Sequence, residues 1–491
     1  MNYHSRSIQE SSTVGSSSTA SPYSAAGLLG DGQIIGIADT GVDESSCYFS
    51  DSQNGFISRS SISNPTFDLK YRKIIQYVVA DGGDTSDEYS GHGTHTCGTA
   101  LGSISGGDLW TVGMYDGVAP NAKLAFVDCG VSGGGLSIPN TAEELYGPSY
   151  LAGSRIHSNS WGSSFSGSGY YANNDIDQYL YDHTDSVILF AAGNSGMAGY
   201  NTISMEAAAK NVVAVGSSES TLDSKDINYV AYYSSKGPTY DGRIKPDILA
   251  PGDSIMSALS NGGGGPSCGT TQKTGTSMAS PGAAGIAGIV RQYFSDPQFW
   301  ATMCNPIYAA CKPMSASGVL VKTVLLHSGS GMTLYDGTSG AIPLSSTPDI
   351  LQGYGRITLR NVLPLRDVYS FNLFVEDLTT IQENTQIAYS WTVYSAAMPM
   401  KVTIAWYDPP NTDGTTNAAL IHNLDLKVVS PSGYAFFGNQ QNQNWVIPDS
   451  VNTNEQVRVE SPETGNWQIF VISNALPYAG YQQYSIVITS N

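Results

Sequence analysis

Three short segments carry residues that could do nucleophilic chemistry together. In Gly275-Thr276-Ser277-Met278-Ala279-Ser280-Pro281 a serine stands between small residues at the start of an Ala/Gly-rich apolar run that reads as a buried helix. A hydroxyl there lies at the positive end of the helix dipole beside unpaired backbone N–H groups, a place to hold a nucleophile and an oxyanion together. In Gln33-Ile34-Ile35-Gly36-Ile37-Ala38-Asp39-Thr40-Gly41 an apolar β run ends in an acid and a glycine turn. That puts Asp39 at the carboxyl end of a buried strand, where open α/β sheets place their chemistry. In Gly91-His92-Gly93-Thr94-His95 a histidine is held between glycines at the start of a helix. Alone, Ser277 has a second reading as an ordinary helix N-cap, and a lone histidine such as His92 is more often structural than catalytic. Together they supply what a serine hydroxyl needs at neutral pH: a base to take its proton and an acid to orient that base.

A fourth segment, Val187-Ile188-Leu189-Phe190-Ala191-Ala192-Gly193-Asn194-Ser195-Gly196, reads as a buried strand that delivers an asparagine into a glycine turn. Asparagine is an ordinary turn residue. A side-chain amide aimed at a tetrahedral oxyanion can also lower a barrier by roughly 3–4 kcal/mol.

The chain order Asp39, His92, Ser277 differs from the His-first order of chymotrypsin and the Ser-first order of α/β-hydrolases. Ala38-Asp39-Thr40-Gly41, Gly91-His92-Gly93-Thr94-His95 and Gly275-Thr276-Ser277-Met278-Ala279 resemble the three signatures of subtilisin-like serine proteases, the subtilases. The resemblance implies a serine endopeptidase. It implies Ser277 as the nucleophile, His92 as the base and Asp39 as its orienting acid, with Asn194 and the Ser277 N–H expected to form the oxyanion hole. His95 and Asp43 are expected to be structural, with a solvent-facing position open for Asp43.

The resemblance also implies that Gly133-Gly134-Gly135 and Ser160-Trp161-Gly162 flank an extended peptide bound as an added strand. Flexible connectors are the other reading of these glycines. The pocket for the side chain before the scissile bond (P1) is expected between Ser160–Gly162 and Ala191, Ala192, Gly193, with its floor near Tyr200–Thr202. Small apolar walls there favour a large uncharged P1 residue. Two other functions use the same scaffold: a catalytically silent binding or adhesion protein, and a peptide ligase or acyl transferase in which an amine resolves the acyl-enzyme.

The elements that must position these residues can be read from the apolar pattern. Strand-like runs Gln33–Ala38, Lys123–Asp128, Arg155–Ser160, Val187–Ala192 and Asn211–Gly216 alternate with helix-like Thr141–Gly153, Ala172–Thr184 and Leu320–His327. Such alternation predicts an α/β fold with a parallel sheet flanked by helices. The peptidase domain is expected over residues 1–365, closing near Gly353-Tyr354-Gly355-Arg356-Ile357. Beyond Arg366 the runs are short and alternating: Gln386–Tyr394, Lys401–Trp406, Leu424–Val429, Trp467–Ile472 and Tyr484–Thr489. They predict a second domain over 366–491, an antiparallel β-sandwich. The segment His422–Gly433 resembles the jelly-roll appended to some bacterial alkaline subtilases.

With 41 acids against 22 bases the formal charge is −19, which excludes nucleic acid as a partner, since that needs a basic surface. No cofactor is required for the chemistry. The resemblance implies structural Ca²⁺, with Asp408 and Asp425 as candidate ligands. Among six cysteines, Cys304 and Cys311 are close enough in sequence for a local disulfide. Cys97 and Cys129 read as buried thiols or as a pair. No apolar stretch approaches the roughly 20 residues of a membrane span. Met1 is followed by a Ser/Thr-rich stretch and not by an apolar signal segment. The resemblance implies an N-terminal propeptide in a precursor, absent here, together with a monomeric, extracellular or cell-surface setting and protein or peptide substrates.

Overall fold

Buried parallel strands form the frame on which the chemistry-bearing segments end. The computed structural model describes residues 21–88, 90–104, 115–164, 170–220, 226–303, 313–336, 340–344, 346–411, 420–440 and 447–491. An eleven-stranded mixed sheet runs through the first two thirds of the chain. Its centre is parallel, in the spatial order Val213–Ser218, Val187–Ala191, Ile156–Asn159, Ile34–Asp39, Lys123–Asp128, Ile74–Val79 and Arg59–Ser61. Ile34–Asp39 pairs with Lys123–Asp128 so that Asp39 lies opposite Asp128. Apart from the edge strand Arg59–Ser61, these strands are buried along nearly their whole length because both faces are covered.

The helices His92–Leu101 and Thr276–Ser295 pack against each other and against the sheet. The second is nearly all buried and built from Ala, Gly, Ile and Val, small enough to lie close to the strands. Helix Ala142–Leu151 begins with a capping box between Thr141 and Glu144, which fixes its first turn. The expected helix Leu320–His327 is present as Gly318–His327.

The strands read from sequence recur with ends moved by at most three residues. Ile74–Val79 was not among them. Its run Ile-Ile-Gln-Tyr-Val-Val is buried without alternation, and periodicity alone cannot assign such a run.

After residue 371 the chain forms two four-stranded antiparallel sheets. One is Asn372–Gln382, Tyr481–Ser490, Met400–Trp406 and Asn454–Val459; the other is Gln386–Val393, Gly465–Ser473, Leu424–Val429 and Ala435–Phe437. Inward residues of both, including Ile404, Trp406, Leu426, Trp467, Ile469 and Ile486, share one apolar cluster. Ala405 and Val487 belong instead to the core of the parallel-sheet part, so the apolar interior continues between the two regions.

Candidate active site

Asp39 ends its central strand with 1 % of its side chain exposed. His92 is the first residue of its helix. Nδ1 of His92 lies 2.8 Å from Asp39 Oδ1. Asp39 also accepts from the Thr40 N–H at 2.7 Å and from Thr96 Oγ1 at 3.2 Å. The glycine after His92 is a steric requirement: a Cβ at Gly93 would sit 2.1 Å from the Gly41 carbonyl oxygen. Burial pulls the His92 pKa down, but the charge and hydrogen bond of Asp39 outweigh it and leave the imidazole above its ordinary value.

Ser277 is the second residue of the Thr276–Ser295 helix. Its hydroxyl donates to the Ser160 carbonyl at 2.9 Å, and Ser160 Oγ donates back to the Ser277 carbonyl at 2.8 Å. The nucleophile candidate thus rests on Ser160, not on His92. Asn194 follows its strand into the same cleft. Its Oδ1 accepts from the Thr276 N–H at 2.9 Å and from Thr276 Oγ1 at 3.0 Å. With the carbonyl side engaged twice, the amide N–H₂ is the end left to face a ligand.

Ser277 and Asn194 line a cavity of about 420 Å³ together with Ser160, Trp161, Gly162, Ala191 and Gly193. Trp161 is pinned by its indole N–H to the Ala38 carbonyl at 3.0 Å and stands edge-on to Phe190. Ala192 is not at the surface of this cavity; it is buried behind it. Asn201 and Thr202 do line it, as expected for the floor, whereas Tyr200 is exposed. The walls are more polar than the sequence reading had them: Ser163, Ser164, Ser195 and Ser204 join Ala191 and Ala198.

Gly133, Gly134 and Gly135 lie outside the cavity, in a turn after the Lys123–Asp128 strand. Their φ values of 93°, 96° and 104° explain the glycines, because other residues rarely adopt that region.

His95 is structural. It is buried, its Nε2 lies 3.0 Å from the Ile255 carbonyl oxygen, and burial lowers its pKa to about 3. Asp43 is buried as well, accepting from Ser45 and Asn261, which removes the solvent-facing alternative.

Asp408 does not fit a Ca²⁺ ligand. Its carboxylate faces Lys210 Nζ at 2.5 Å and takes the backbone N–H groups of Ile421 and His422, so an ammonium already neutralises it. Asp425 is engaged by the side-chain amides of Asn423 and Asn474. No cluster of three or more His, Cys, Asp or Glu suited to a metal occurs among the described residues.

Cys304 and Cys311 lie outside the described residues. Among the described residues a disulfide joins Cys47 and Cys268 across 221 residues, a separation no local spacing reveals. Cys97 and Cys129 are free and buried.

Sequence reasoning also missed Asp87. This buried acid accepts from the Thr94 N–H at 2.8 Å and from Thr40 Oγ1 at 2.9 Å. It thereby ties the first turn of the His92 helix to the residue after Asp39. Burial raises its pKa to about 6. The signal was Gly91, where a Cβ would collide with the Asp87 carboxylate.

The parallel sheet, with Asp39 at the end of one strand and the cavity residues Ser160 and Asn194 just past two others, is that of a subtilisin-like α/β fold. Residues 30–355 match the subtilase family, peptidase S8, and the chain belongs to it. It is similar to two Dictyostelium discoideum proteins named serine protease/ABC transporter B family protein. TagD is 29 % identical, covering 94 % of this chain and 32 % of tagD. TagA is 28 % identical, covering 99 % of this chain and 32 % of tagA. The chain therefore spans about a third of the length of these relatives. Among solved structures, sphericase aligns at 24 % identity and a TM-score of 0.46, over 72 % of this chain and 97 % of sphericase.

Proposed function

We propose that this chain is a serine endopeptidase that cleaves proteins or peptides through an acyl-enzyme. The observation that carries the reading is the 2.8 Å contact between Asp39 and His92, in a molecule whose Ser277 and Asn194 line one cleft. Ser277 Oγ turns from the Ser160 carbonyl toward His92 Nε2, gives up its proton there and attacks the substrate carbonyl carbon. The oxyanion is held by Asn194 Nδ2 and the Ser277 N–H. His92 then protonates the leaving amine, and water resolves the ester by the same route in reverse. Asp39 keeps the proton on Nδ1 and stabilises the imidazolium.

A cavity of about 420 Å³ takes a large P1 side chain, and the Trp161, Ala191 and Ala198 surfaces favour an uncharged one. The Cys47–Cys268 disulfide supports an extracellular or cell-surface setting, since such bonds persist in oxidising compartments. Among the described residues no helix is long and apolar enough to cross a membrane. The tagD and tagA names, which join a serine protease to a transporter, support the further reading that this peptidase unit works as part of a longer polypeptide.

A fluorophosphonate probe tests the proposal. It is expected to label Ser277 in the folded protein and not to label Ser277→Ala. An unlabelled, correctly folded wild-type protein would remove the protease reading.

A further inference from the structure

The wall of the P1 cavity has a second anchor that the chemistry does not use. Trp161 fastens the start of the Ser160–Ser164 wall to the Ala38 carbonyl. Two residues on, Ser163 is gripped by Glu206, from the segment that carries Ser204. Its backbone N–H donates to Glu206 Oε2 at 2.8 Å, and its Oγ donates to Glu206 Oε1 at 2.8 Å. Both oxygens of one carboxylate are thus engaged by a single residue, a two-point contact that fixes orientation as well as distance. The Met205 N–H adds a bond to the Ser163 carbonyl at 3.2 Å.

Glu206 is itself held firmly. It opens a short turn, Glu206–Ala208, whose Ala207 and Ala208 are buried. Two residues before it, Ser204 lines the cavity. Ser204 is bonded through its N–H to the Ala192 carbonyl at 2.9 Å and through Oγ to the Ala191 carbonyl at 3.1 Å. Between the two anchors lies Gly162, where a Cβ would stand 2.8 Å from Ser204 and 3.2 Å from Glu206 Oε2. Only a bare backbone lets the wall come this close to the carboxylate. Glu206 and Ser163 are far apart in sequence and neither belongs to the motifs that carry the chemistry.

We propose that Glu206 is a positioning residue for P1 selection: by clamping Ser163 it sets the separation between the Ser160–Ser164 wall and Ser204. The inference rests on the endopeptidase reading. A large P1 side chain gains contact from both walls only if they are already in place, because ordering them on binding costs affinity. A small P1 side chain does not span the cavity and loses little when a wall is free.

The experiment compares two internally quenched peptides that differ only in Phe or Ala at P1, with wild type, Glu206→Ala, Glu206→Gln and Ser163→Ala. In Glu206→Ala the Phe-to-Ala ratio of kcat/KM is expected to fall about tenfold, mainly through KM for the Phe peptide. Glu206→Gln restores much of the ratio, because its carbonyl oxygen still accepts one of the two bonds. Ser163→Ala removes only the Oγ bond from an exposed side chain and gives an intermediate fall. Fluorophosphonate labelling of Ser277 in each variant reports a folded protein with a working nucleophile. Variants that label and yet keep the wild-type ratio, or lose both peptides equally, overturn the clamp. A wild type that neither labels nor cleaves removes the endopeptidase reading, and the clamp with it.

Discussion

Asp39, at the end of a central strand, and Asp408, in the segment after Trp406, each meet a base: His92 Nδ1 at 2.8 Å for one, Lys210 Nζ at 2.5 Å for the other. Both carboxylates are buried. Their partners differ. Lys210 has none of its side chain exposed and also donates to the Pro409 carbonyl, while Asp408 takes two further N–H groups. Around this pair Asn211 and the Asp408 backbone exchange two hydrogen bonds, and Thr453 Oγ1 donates to the Lys210 carbonyl. The result is a closed rivet between the C-terminal sheets and the parallel-sheet body. His92 keeps 34 % of its side chain exposed, and its Nε2 has no protein partner among the described residues. An acid next to a base becomes chemistry when the base titrates near neutrality and keeps one side open. With a fully enclosed lysine the same pairing holds parts together.

That contrast can be broken most visibly at Asp39. Asp39→Asn keeps the volume but loses the charge and the preferred tautomer of His92, and kcat is expected to fall by about 10⁴-fold. The melting temperature should move little. Peptide hydrolysis with a loss under tenfold would dissolve the distinction between the two pairs.

Asp408→Asn should do the opposite, leaving a buried ammonium without its counter-charge at a cost of about 3–5 kcal/mol in unfolding free energy. The double variant Lys210→Met with Asp408→Asn should recover part of that loss, since the buried ammonium is gone and the Asn oxygen still accepts from the backbone N–H groups of Ile421 or His422. Urea denaturation measures both. A single variant as stable as wild type would mean that the rivet holds nothing.

The smallest effect sharpens the His92 side. In the proposed mechanism His92 is a base only when neutral, so activity should be lost as pH falls through its raised pKa, and the acid limb of kcat/KM should lie above about 6.5, the ordinary histidine value. The Asp87 charge contributes to that elevation. In Asp87→Asn the limb should move to lower pH by less than about one pH unit. A move to higher pH would show that Asp87 acts on the helix turn and not on the imidazole.

Legibility from the sequence followed the range of the interaction. The signatures around Asp39, His92 and Ser277, and the turn that carries Asn194, were readable because each lies at the end of an element among small residues, and that local signal survives without knowledge of its neighbours. Asp408 was misread for the opposite reason, its partner Lys210 lying 198 residues away. The 11-residue strand Asn372–Gln382 escaped notice because its register shifts between Glu376 and Thr379, which breaks the alternation by which a strand is recognised. The cavity walls were expected to be apolar from Trp161 and the alanines beside Asn194, although Ser163 and Ser195 stand next to these in the chain; Ser204 enters only by folding.

By itself the sequence determined the family signatures and their order, the parallel α/β body and the antiparallel character of the tail, since these depend on residue type, turn chemistry and periodicity within a dozen positions. Tertiary structure alone decided which cysteines join, that Asp408 holds a lysine, that Ser277 rests on Ser160 and that Glu206 grips Ser163. Those outcomes depend on which surfaces meet when apolar faces are buried, and no local pattern encodes a contact between segments that touch only after the chain has closed on itself.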